Sequence, residues 1–116
     1  MDPRLARGIE QFNAGRFFSA HETWEALWND SVGPEKVLIQ GLVQIAAGYA
    51  KAESGVLGGA LKLLTRGTAL VRQYPTSALG LALEPLVSGV GADIERLRAA
   101  AEVSIDQLCP PKLGSM

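Results

Sequence analysis

The sequence predicts an all-α protein, a single compact five-helix bundle. Three observations carry that expectation. Apolar residues recur at helical spacing along most of the chain. Clusters of Gly, Pro and Asp divide this periodicity into five segments. Strand signals are weak, because β-branched runs are short and no Asn-Gly or Asp-Gly pair joins two alternating segments.

The first helix is expected from about Asp2 to Asn13. Asp2 suits the N-cap, Pro3 suits the first turn, and Leu5, Ile9 and Phe12 form one apolar stripe. Asn13-Ala14-Gly15 is a stop, since Gly15 accepts the positive φ of a helix end. The second helix runs from Phe17 to Asn29 and is broken by Asp30-Ser31-Val32-Gly33-Pro34. The third starts near Pro34, runs to about Ser54 and ends at Gly55. The fourth spans about Leu57 to Gln73, with Pro75 closing it, and Thr76 to Leu83 reads as loop. The fifth spans about Glu84 to Ala101, with Pro85 in its first turn and Gly89 and Gly91 weakening its first half. Residues 1–102 therefore form the bundle domain, and residues 103–116, with Pro110, Pro111 and Gly114, an extended C-terminal tail.

A chain of 116 residues is one domain's worth and leaves no room for a separate cofactor domain. A net charge of −1 and a pI near 5.8 argue against a nucleic-acid partner, which would need a basic face to neutralise phosphates. The longest apolar stretch, Val37 to Ala50, is interrupted by Gln40 and Gln44. It falls short of the roughly 20 residues that span a bilayer, so no membrane partner is expected. The opening Met1-Asp2-Pro3-Arg4 is not a secretory signal, and Cys109 alone cannot form an internal disulfide, so a cytoplasmic protein is expected.

Mean hydropathy is +0.14, high for a small monomer, which points to a homodimer or higher oligomer. The excess lies in the third helix, apolar on nearly every side and so central in the bundle or buried against a second copy. Gly41 and Gly48, seven apart, share a face that another helix can approach closely.

The second helix holds the only His and both Trp. At helical spacing Phe17, His21, Trp24, Glu25 and Trp28 share a face, with Phe18 at its edge. An ionisable pair at i, i+4 inside an aromatic stripe is costly to bury unless the two groups satisfy each other. Gln40, Gln44, Ala47 and Lys51 trace one mostly polar line down the third helix. If that line faces His21 and Glu25, the result is a polar, aromatic-lined pocket of the kind that holds a small-molecule ligand. In a catalytic version His21 transfers a proton, Glu25 orients it, and Glu22 assists or caps the rim. Phe17, Trp24 and Trp28 exclude water, while Gln40 and Gln44 orient the ligand. The alternative is a structural or interaction module in which these polar groups only fix helix packing.

Metal and cofactor chemistry are not expected. His21-Glu22-Thr23-Trp24-Glu25 begins like a zinc-protease helix, but Glu25 stands where the second His belongs. No second Glu/His motif exists to build a di-iron site, and no nucleophile elbow accompanies His21.

The run from Phe12 through Ala14-Gly15-Arg16-Phe17-Phe18, Ala20-His21-Glu22 and Trp24-Glu25 to Trp28 resembles the domain of unknown function 309 family. So does Gln40-Gly41-Leu42-Val43-Gln44-Ile45-Ala46-Ala47. Gly55, Gly59-Ala60 and Leu63-Leu64 extend the likeness, which runs from about Leu5 to Leu86. The resemblance implies a small helical bundle and no particular reaction. It singles out Asn13, His21, Glu22, Glu25, Gln40 and Gln44. Lys51 stands where members often carry His, and Val56 where they often carry Asn, which weakens a metal site and would make a pocket here anion-selective.

Overall fold

The computed structural model describes residues 2–75, 78–99 and 107–115. Five helices follow one another: α1 (Pro3–Asn13), α2 (Phe17–Asn29), α3 (Gly33–Glu53), α4 (Leu57–Val71) and α5 (Leu83–Ala99). The Asp2 carboxylate caps α1 by accepting from the Arg4 N–H at 2.8 Å. Gly15 takes a φ of +78°, the left-handed backbone anticipated there, and Gly55, where the third helix is expected to end, takes +79°.

One expectation needs correction. The stretch read as loop up to Leu83 contains a 3₁₀ turn, Ala78–Gly80, and a two-residue strand β1, Leu81–Ala82, and Leu83 already opens α5. β1 pairs antiparallel with β2, Gly114–Ser115, matching Leu81 to Ser115 and Ala82 to Gly114. Two residues are too short for any alternation to show, and the pairing joins an interior segment to one near the C-terminus, far apart in sequence. Thr76, Ser77, the expected last turn of the fifth helix at Ala100 and Ala101, and the tail up to residue 106 lie outside the described residues.

α3 is central, packed between α2 and α4. Leu38, Leu42, Ile45, Ala46 and Tyr49 are buried along it, so its all-round hydropathy is used inside the bundle. The approaching helix foreseen at Gly41 and Gly48 is α4. A Cβ at Gly41 would stand 3.0 Å from the Gly67 carbonyl oxygen, one at Gly67 2.7 Å from the Gly41 oxygen, and one at Gly48 2.8 Å from Leu64.

Phe12, Phe17, Trp24 and Tyr49 form an aromatic cluster with ring centroids 5.1–6.0 Å apart. The Trp24 indole N–H donates to the Leu5 carbonyl at 3.2 Å, which satisfies its one polar atom in the core. Gly8 makes space for that ring: a Cβ there would lie 2.1 Å from Trp24 Nε1.

Among the described residues, the one carboxylate in the core is Asp93, wholly buried. Burying a carboxylate is costly unless donors replace water, and three do. They are the Tyr49 hydroxyl at 2.6 Å, Arg96 Nη1 at 2.6 Å and the Cys109 N–H at 2.8 Å. Residues 107–115 lie against the bundle, with Leu108 and Leu113 buried.

Candidate functional site

On α2 the buried side is Phe17, Ala20, Trp24 and Leu27. His21 and Trp28 sit at the edge of that stripe, half-buried, and Phe18, Glu22 and Glu25 lie beyond it, exposed. The face that the helical spacing groups together is thus divided. Trp24 is core. Phe17 is core as well, and with Asn13 it borders a crevice of about 410 Å³ beside the C-terminal segment.

His21 is the centre of what remains. Its Nε2 lies 3.0 Å from Glu25 Oε2, the i, i+4 pair expected from the sequence. Its Nδ1 is buried and has no hydrogen-bond partner among the described residues. The imidazole stands between two grooves. One, about 310 Å³, is lined by Phe18, His21, Ala47, Ala50, Lys51 and Ser54. The other, about 240 Å³, is bordered by Phe18, Glu22, Glu25 and Asn29 on the outer side of α2. Phe18, 61% exposed, faces both, its ring centroid 5.7 Å from that of His21.

The α3 side carries the other half of the expected line. Ala47 and Lys51 share the larger groove with His21. The Lys51 stem runs along Gly59 of α4, 3.8 Å from where a Cβ would be. At the far end of the seam, Lys36 Nζ sits 4.4 Å over the Trp28 ring. These two anchor points make α2 and α3 antiparallel and place Gln40 and Gln44 between them. Both glutamines are half-buried, and among the described residues Gln44 Oε1 is buried without a partner, as is Trp28 Nε1. Buried polar atoms are ordinarily paired. Among the described residues the three unpartnered side-chain atoms belong to α2 or α3 residues chosen from the sequence as pocket candidates.

Asn13 is engaged elsewhere, in two hydrogen bonds to the backbone of Leu113. Glu22 does not join the His21–Glu25 pair, and among the described residues no group of three His, Cys, Asp or Glu side chains could hold a metal ion. Sequence reasoning missed Phe18 and Ser54 as lining residues. Both were within reach of the helical spacing, Phe18 three residues before His21 and Ser54 three after Lys51. It also missed Asp93, an acid set among the apolar Val90, Ile94 and Leu97 at core spacing.

The Tyr49 phenol is pushed well above its usual range by burial, reinforced by its hydrogen bond to Asp93. The Asp2 carboxyl is held below the ordinary carboxylate range by the Arg4 side chain and the Arg4 N–H.

Among the described residues, no helix is long and apolar enough to cross a membrane. No curated protein matches the chain. A family model described as domain of unknown function (DUF309) matches residues 5–63, just over half of the chain. That span holds every α2 and α3 residue of the groove, while Asp93 and the C-terminal segment fall outside it. The chain belongs to the DUF309 family.

Proposed function

We propose that this domain binds a small acidic molecule in the groove between α2 and α3, with His21 at its centre. The observation that carries the reading is the state of His21. Glu25 holds one ring nitrogen, and the other is buried with no partner among the described residues. Gln44 and Trp28, whose Oε1 and Nε1 are buried without a partner among the described residues, lie on the same two helices but do not line this groove. A groove of about 310 Å³ suits a metabolite-sized ligand. Lys51 supplies the positive charge, Ser54 a hydroxyl and Phe18 an apolar lip. In a catalytic version His21 moves the proton and Glu25 orients the ring. A cytoplasmic setting belongs to the same reading, in keeping with the free, exposed Cys109.

Thermal-shift screening with carboxylates and phosphate esters tests this reading. Stabilisation of the native chain that is lost in both His21→Ala and Lys51→Ala supports it. No stabilising ligand, or stabilisation indifferent to both substitutions, rejects it.

A second reading, an interaction module, is favoured by Phe18, a large apolar side chain left exposed at the groove lip. It expects a captured protein partner that is lost with Phe18→Ser and retained with His21→Ala.

A further inference from the structure

The two grooves that meet at His21 carry opposite charge. Lys51 stands in the larger one, while Glu22 and Glu25 border the smaller. Phe18 and His21 line both, so they form the shared wall between a cationic end and an anionic end. His21 holds Glu25 at 3.0 Å, and among the described residues neither Glu22 nor Lys51 has an ion-pair partner. Glu22 and Glu25 lie about one and two turns along α2 from Phe18, a rise of about 6 and 10 Å. Those distances are comparable with the Debye length of about 8 Å at physiological ionic strength, so both carboxylates are felt in the Lys51 groove. A ligand that brings only a negative charge to Lys51 is opposed by two carboxylates. One that also brings them a positive charge turns that repulsion into attraction.

The wall between the two ends is mostly apolar. Phe18, 61% exposed, faces both grooves, and Ala47 and Ala50 line the larger one. Amide groups laid across these three side chains would find no hydrogen-bond partner in them, whereas methylene groups need none. We propose, resting on the acid-binding reading of this groove, that its ligand is an ω-amino acid. The carboxylate lies at Lys51, the methylene chain crosses Phe18 and His21, and the ammonium reaches Glu22 and Glu25. An ammonium passing the Phe18 ring gains further from its face. An α-amino acid carries both charges on one carbon and satisfies one end only.

His21 is the only histidine, so its ring-proton signals in NMR report on this wall alone. The full chain is titrated with ε-aminocaproate, its isomer norleucine, caproate and hexylamine. ε-Aminocaproate is expected to bind about fivefold more tightly than each of the others, the advantage that one partly exposed ion pair allows. Glu22→Gln, at an exposed position, is expected to erase the advantage over caproate without weakening caproate itself. Lys51→Ala is expected to erase the advantage over hexylamine.

Caproate binding as tightly as ε-aminocaproate, with both lost in Lys51→Ala, overturns the ω-amino acid and leaves the acid-binding reading standing. Norleucine binding as tightly as its isomer overturns it too, because the spacing of the charges is then not read. Hexylamine binding as tightly as ε-aminocaproate, indifferent to Lys51→Ala, overturns both. No shift at His21 with any of these probes overturns the ω-amino acid, and the thermal-shift screen of carboxylates and phosphate esters then decides the acid-binding reading by itself.

Discussion

The Tyr49 hydroxyl donates to the Asp93 carboxylate at 2.6 Å, and both residues are wholly buried. This bond ties the middle of the bundle, α3, to α5, and Asp93 passes the connection on to the C-terminal segment through the Cys109 N–H. A hydrogen bond to a charged group contributes about 1.5–3 kcal/mol, and its loss leaves part of a buried carboxylate unsolvated. Tyr49→Phe is therefore expected to lower stability by about 2 kcal/mol in urea denaturation at neutral pH.

The same pair sets an alkaline limit. The folded Tyr49 pKa lies above its unfolded value of about 10, so the folded state keeps the proton when the unfolded state loses it. The contribution is whole below about pH 10 and is lost as pH rises beyond it. Melting temperature followed through this range should fall in the native chain and fall less in Tyr49→Phe.

At the acid end the sign reverses. The folded Asp2 pKa is depressed, so its contribution is present above the unfolded value of 3.8 and disappears as pH falls through the folded one. Asp2→Asn should flatten the melting curve's dependence on pH below about 4 and leave helix content at neutral pH largely intact.

Gly8→Ala should be far more damaging than its size suggests. The new methyl would meet the Trp24 ring at 2.1 Å, in a core where Trp24 is 1% exposed and bonded to Leu5. Neither partner can move without breaking that bond or opening the aromatic cluster. A loss of about 3 kcal/mol, the upper end of ordinary overpacking, is expected, with tryptophan emission shifted to the red.

Glu25→Gln separates site from scaffold. The Glu25 side chain is 51% exposed, and partly exposed pairs are worth about 0.2–1 kcal/mol, so stability should change by less than about 1 kcal/mol. Any ligand-induced thermal shift should drop by much more, because the substitution releases His21 from its orienting partner.

The helices were legible because each is written locally. Phe17–Asn29 is bounded by Gly15 on one side and Asp30 on the other, and α3 announces itself by apolar residues on nearly every side. The pairing of His21 with Glu25 is equally local, a matter of i, i+4 spacing. The depth of each residue was not legible. A helical wheel groups Phe17 and Trp24 with His21, but only the packing of α1 and α3 decides that the first two are core and the third an edge. Nor could local spacing show that Asn13 and Asp93 would be claimed by the far end of the chain. Those bonds join residues 100 and 16 positions apart. Nothing in either neighbourhood encodes its partner.

The meeting of Gly41 with Gly67 bears on how the His21 groove can breathe. Where two helices touch backbone to backbone there is no side chain to rotate out of the way, and a slide of one residue, about 1.5 Å, would drive a neighbouring side chain into main chain. α3 and α4 thus behave as one rigid keel. Ala47 and Lys51, the α3 wall of the groove at His21, are therefore carried on the most tightly fixed part of the bundle.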